Sequence, residues 1–112
     1  MYTNAGINKV MLAGKISKEP RLHNYNQERW LYFSVVTKEV IHSAKGDTDH
    51  EETHQIRVEE TNPSLKRFDL KMDDLVFVQG KLHTKAFVDA ENIKRYKTEI
   101  VASNFEILSA AN

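Results

Sequence analysis

From Val76 to Phe87 the chain reads VFVQGKLHTKAF, a run that sorts into two unlike sets when its residues are taken alternately. Alternate residues of a strand point to opposite sides. One side would carry Val76, Val78, Gly80, Leu82, Thr84 and Ala86, a core-like face. The other would carry Phe77, Gln79, Lys81, His83, Lys85 and Phe87, where cations mix with rings. This second set is either a solvated strand face or a surface for an anionic partner.

The same period runs through most of the chain. INKVMLAGKIS predicts a first strand over Ile7 to Ile16, with Gly14 where a bulge or sharp bend would sit. SKEPRLHNYNQER reads as a loop. WLYFSVVTKEVI is a second strand, with Leu31, Phe33 and Val35 on one face and Trp30, Tyr32 and Ser34 on the other. HSAKGDTDHEE is a turn-rich excursion centred on Lys45, Gly46 and Asp47. THQIRVEE is a third strand. The fourth ends at DAEN, a hairpin turn without the favoured Asn-Gly or Asp-Gly pair. IKRYKTEIVA returns as a fifth, and NFEIL closes the chain. One segment changes period: in NPSLKRFDLKM, Asn62 can cap a helix, Pro63 suits its first turn, and Leu65, Phe68 and Met72 share helical spacing. A helix is therefore expected over 63–72. Five strands with one short helix between the third and fourth is the element order of an all-β, five-stranded Greek-key OB-fold barrel. Phe33, Phe68 and Phe105 are expected in its core, and Phe77 in the core or an interface.

At 112 residues, 40% hydrophobic and 29% charged, residues 1–112 suit a single folded domain, with an ordered core over about 7–108. Cysteine is absent, which excludes disulfides and cysteine zinc sites and fits a reducing compartment. Met1 to Asn8 form no signal core and no apolar run reaches membrane-spanning length, so a cytoplasmic protein is expected. The net charge is zero but uneven: +4 over 1–38, −5 over 39–60 and +1 over 76–112, with the last cations crowded into 81–97. Such segregation suits an anionic partner. No catalytic constellation is present, so neither an enzyme nor a cofactor is expected. HEETH, His50 to His54, matches a zinc-protease pattern that requires a helix. In a strand these histidines would lie roughly 13 Å apart, too far to share one zinc. No metal site is expected, and His54 reads as a packing or interface residue. His23 and His42 read as surface residues.

Four motifs in order resemble the bacterial single-stranded DNA-binding proteins: NKVMLAGKISKEP, FSVVTKE with Thr53-His54 beyond it, VQGKLHTKAFVD, and RYKTEIVA. The resemblance spans about Ile7 to Leu108. It implies an OB-fold barrel, usually a homotetramer, that coats single-stranded DNA in replication, recombination and repair without catalysis. It also implies a role for the ring-bearing face, since cations track phosphates and bases stack on rings at roughly 1–3 kcal/mol each.

The departures fall on the family's stacking positions. Ile41, Thr53 and Glu59 stand where rings are usual, and Phe87 alone keeps one. Trp30 and Tyr32 are candidate replacements, with Tyr25 in the preceding loop; Tyr96 reads as a packing residue. The expected nucleic-acid contacts are Lys15, Arg21, Trp30, Tyr32, Arg57, Lys81, His83, Lys85, Phe87, Arg95 and Lys97. With four to six cations engaged at about −0.7 each, log K against log salt would slope at roughly −3 to −4. Asn8, Val10, Leu12 and His54 are the expected oligomer interface. The chain ends at EILSAAN without the family's acidic tip, through trimming or as a diverged member lacking the tail. The alternative is an interaction or structural paralogue, resembling the primosomal accessory proteins, with weak or no DNA binding.

Overall fold

Val76 and Val78 are fully buried, with Ile16, Val35, Ile56, Val58 and Phe105 beside them. They come from five different strands, whose inward faces make one core. The computed structural model describes residues 5–25, 27–63, 65 and 69–111, apart from the side chain of Tyr25. Six strands run through these residues: β1 (Val10–Ile16), β2 (Arg21–Tyr25), β3 (Glu28–Ser43), β4 (Gly46–Glu59), β5 (Leu75–Val88) and β6 (Lys94–Ser109). They form one sheet in the order β1-β5-β6-β4-β3-β2. β1 runs along β5 from Val10 to Lys15 and reaches β3 through Lys15–Val36 and Ile16–Val35, closing the ring. This is the OB barrel expected from the sequence. Phe33 and Phe105 meet edge-to-face in the core at 6.2 Å between centroids.

Gly14 and Gly80 stand where the ring needs backbones in near contact. A Cβ on Gly14 would strike the Val36 carbonyl oxygen, and one on Gly80 the Val101 carbonyl oxygen. Of the bulge or sharp bend expected at Gly14, the bulge is absent, since Gly14 pairs with Val76 in an unbroken ladder. The β5–β6 ladder is irregular instead at Leu75/Val76 and at Gln79/Gly80.

Four expectations are corrected. Arg21–Tyr25 is a strand paired with β3, not a loop. The excursion over 42–52 is also strand: β3 and β4 pair continuously from Trp30–Glu59 to Ser43–Gly46. Its turn is only Ala44 and Lys45, closed where Ser43 Oγ donates to the Gly46 carbonyl at 2.7 Å. The helix does not reach Met72. Helical backbone is described at Pro63 and Leu65, whereas 69–71 are irregular and Met72–Asp73 is a turn. Buried Asp74 sets that end by accepting the N–H groups of Lys71 at 2.9 Å and Ala111 at 2.8 Å. Residues 64 and 66–68, with the expected core ring of Phe68, lie outside the described residues. Finally, the core-like face of β5 is core only at its start. Leu82 is half-exposed, and Thr84 and Ala86 are exposed.

That last correction has a geometric cause. β4 and β6 meet in parallel at Ile56–Ile100 and Arg57–Val101. On the N-terminal side of that junction each strand leaves the barrel with its own hairpin partner. Two arms therefore project from one end of the barrel, β3–β4 to the turn at Ala44 and Lys45, and β5–β6 to the turn at Asp89–Ile93. Beyond the barrel neither face of an arm has a layer to cover it.

Candidate nucleic-acid interface

The alternation of β5 and the registers around it build one outward face across five strands. On β5 it carries Lys81, His83, Lys85 and Phe87, opposite Val101, Glu99, Lys97 and Arg95 of β6. On β4 and β3 it continues through Arg57, paired with Tyr32, and Glu59, paired with Trp30. On β2 it ends at Arg21 and His23, which pair with Tyr32 and Trp30. Ten of the eleven expected contacts thus share a surface. Lys15 does not: it lies on β1 between Leu75 and Val36, on another wall of the barrel.

The centre of this face is a carboxylate. Glu99 is only 2% exposed. Its Oε1 lies 2.7 Å from Arg57 Nε and 3.6 Å from Lys85 Nζ. The Arg57 N–H is not aimed at that oxygen, so the contact is ionic rather than a directed hydrogen bond. The Arg57 guanidinium also covers the Trp30 ring, 4.4 Å from its centroid. Trp30, Arg57, Glu99 and Lys85 therefore form a chain of contacts from β3 to β5. Trp30 is half-buried, with a buried Nε1 that has no hydrogen-bond partner among the described residues, while Tyr32 meets His23 edge-on at 5.5 Å.

Outside that chain the face is open. Phe87 is 43% exposed, and exposed Lys97 lies across the ladder from Lys85. Lysines directly opposite each other repel, and one carboxylate set among Arg57, Lys85 and Lys97 leaves the centre cationic. The adjoining turn is rigidly made. Asp89 Oδ1 accepts the N–H groups of Glu91 and Ile93, and Oδ2 accepts Arg95 Nε at 2.6 Å. The Arg95 bond, then the Ile93 bond, holds the Asp89 carboxyl below its usual range. Asn92, with φ 64°, takes the left-handed position that glycine would otherwise fill.

Glu99 is not among the contacts expected from the sequence. Its alternation with Lys97 and Arg95 was the available signal. Tyr96 is corrected: it is 67% exposed rather than packed, with Lys94 Nζ 5.6 Å from its centroid. Ile41 and Thr53 lie exposed on the β3–β4 arm, and exposed Glu59 faces Trp30. His50 and His54 both lie on strand β4, without the helix that the zinc pattern demands. Of the expected interface residues, Asn8 hydrogen-bonds both backbone groups of Leu82 at 2.8 Å. Val10 and Leu12 turn inward against the core, and His54 Nε2 meets Thr37 Oγ1 at 3.0 Å.

A closed OB barrel with a cationic, ring-bearing outer wall is the class of protein these features define. The sequence pattern of the single-strand binding protein family matches residues 7–108. The chain belongs to that family. It is 30% identical over 114 residues to the mitochondrial single-stranded DNA-binding protein of Danio rerio, covering 92% of this chain and 77% of the relative. It is 27% identical over 108 residues to the single-stranded DNA-binding protein of Neisseria meningitidis serogroup A, covering 95% of this chain and 62% of that protein. Among solved structures, the Plasmodium falciparum SSB complex with ssDNA superposes with a TM-score of 0.79 at 24% identity, covering 98% of this chain and 100% of the other.

Proposed function

We infer that this chain binds single-stranded DNA without sequence preference and protects it during replication, recombination or repair. The observation that carries the reading is the centre of the outward face, where one buried carboxylate stands among three cations beside the exposed ring of Phe87. Cations take phosphates and the ring takes a base, which is binding without base-edge readout. The mitochondrial and bacterial relatives named above carry this activity in their names. The family is one of binding proteins rather than enzymes. The bacterial relatives favour the cytoplasm.

The salt dependence follows from the ion pairs. Arg57 and Lys85 share Glu99, and Arg95 is held by Asp89. Arg21, Lys81 and Lys97 have no ion pair among the described residues. Three such cations at about −0.7 each give a slope of roughly −2, shallower than the sequence alone suggests. Anisotropy titrations of labelled oligo-dT across a salt series measure it. Tight binding with a slope near zero would refute the phosphate account. No binding at any salt would leave the interaction-paralogue reading.

We further propose that the chain self-associates, as a homotetramer or a dimer, through the edge of β1. From Val10 to Gly14 this strand is paired only on its β5 side among the described residues. The free backbone edge can pair with a second copy. Met11, 59% exposed, is the outward apolar side chain there, so the edge and Met11 matter more than the inward Val10 and Leu12. Sedimentation equilibrium at micromolar concentration should show an assembly, and a monomer would sink this proposal.

A further inference from the structure

The two arms carry opposite charge. Between Lys38 and Thr53 the β3–β4 arm bears Glu39, Asp47, Asp49, Glu51 and Glu52 against Lys38 and Lys45. The β5–β6 arm bears Lys81, Lys85, Lys94, Arg95 and Lys97 against Asp89, Glu91 and the buried Glu99. Both leave the same end of the barrel, yet no ion pair joins one arm to the other among the described residues. Apart from the Arg57–Glu99 pair at the junction, the ion pairs described for each arm lie within it. Asp47 holds His42 at 2.8 Å and Glu51 holds Lys38 at 3.2 Å. Asp49 between them has no ion pair among the described residues, and neither have Lys81 and Lys97.

The charge repeats match. Asp47, Asp49 and Glu51 stand on alternate residues of one strand. Arg95 and Lys97 do the same on β6. Both rows therefore step at about 6.6–6.8 Å, two residues of extended chain. Each row also carries an exposed apolar side chain from its partner strand: Val40 opposite Asp49, 54% exposed, and Phe87 opposite Arg95.

We propose that the acidic β3–β4 arm of one copy seats on the basic β5–β6 arm of a second copy. The carboxylate row meets the cationic face that Arg95 and Lys97 share with Lys81 of β5, with Val40 and Phe87 covered between them. The occupant is a second copy because the complementary row, at the same repeat, exists on this chain. The contact lies apart from the β1 edge and needs no nucleic acid, so its failure would leave the proposed DNA binding untouched.

Sedimentation velocity without nucleic acid tests it in three preparations: the parent, Asp49→Lys with Glu51→Lys, and Lys81→Glu with Lys97→Glu. The parent should shift to a larger species at low salt and lose it at about 1 M, where charges are screened beyond ~3 Å. Each reversed variant alone should keep the high-salt sedimentation coefficient at low salt. Mixing the two should restore the larger species, because one then brings two basic arms and the other two acidic ones. A parent that sediments alike at both salts would overturn the proposal, as would a mixture that stays dispersed while both variants are folded by circular dichroism. Should a reversed variant not fold, the neutral pairs Asp49→Asn with Glu51→Gln and Lys81→Gln with Lys97→Gln replace them. Both should reduce the low-salt species, and an unchanged species in either overturns the contact.

Discussion

Glu99→Ala is expected to lower stability by about 3–5 kcal/mol, the usual cost of removing one partner of a buried ion pair. Glu99 is 2% exposed and the Arg57 side chain 11%. Without the carboxylate, a nearly buried guanidinium keeps only the face of Trp30 for compensation, and a desolvated cation–π contact is worth about 2 kcal/mol, less than the pair it would replace. Lys85 differs: at 33% side-chain exposure it can turn toward solvent. Arg57→Ala should therefore cost far more stability than Lys85→Ala. The double replacement Arg57→Met with Glu99→Leu should recover most of the loss, because apolar residues of similar size carry no uncompensated charge. Urea unfolding measures all four variants. A Glu99→Ala protein as stable as the parent would show that the pair is solvated. Glu99→Gln adds a functional readout, since it releases two cations toward phosphate: oligo-dT binding should tighten and its salt slope should steepen.

Phe87→Ala should weaken oligo-dT binding by about 1–3 kcal/mol, or roughly 5- to 150-fold, if a base stacks on the ring. Stability should change by no more than about 0.5 kcal/mol, as for a surface substitution away from core packing. The two effects separate here because Phe87 stands on an arm, 43% exposed and opposite Arg95. Trp30→Ala is the contrast. Trp30 is half-buried under Arg57, so its loss should lower stability and binding together. Oligo-dT that quenches the Trp30 fluorescence would place DNA at the β3 end of the face. A Phe87→Ala protein that binds normally but melts early would make Phe87 a packing residue and move the stacking site off β5.

The core strands were legible because burial writes a period into them. Phe33 and Val35 alternate with Tyr32 and Ser34, and Ile56 and Val58 with Gln55 and Arg57, because one side of β3 and β4 meets the core. The same strands became illegible where they leave it. Over 42–52 both faces meet water, so no alternation is selected and the residues resemble a loop. β2 hid for the same reason: its described side chains, Arg21 to Asn24, are all exposed, and its pairing with β3 needs only backbone groups.

The outward face divides the same way. Alternation alone put Lys81, His83, Lys85 and Phe87 on one side of a strand, because a strand's geometry leaves no other choice. Which cations remain available was beyond the sequence. Glu99 is 14 residues from Lys85 and 42 from Arg57, and only the β4–β6 junction and the β5–β6 register bring the three together. The sequence by itself determined the core strands, their faces and the acidic and basic stretches of the chain, all set by local period and residue type. Only the tertiary structure decided where the barrel stops covering β5, leaving Leu82 and Ala86 outside, and that a buried carboxylate occupies the centre of a cationic wall. Both depend on which strands become neighbours, a long-range pairing that no local pattern encodes.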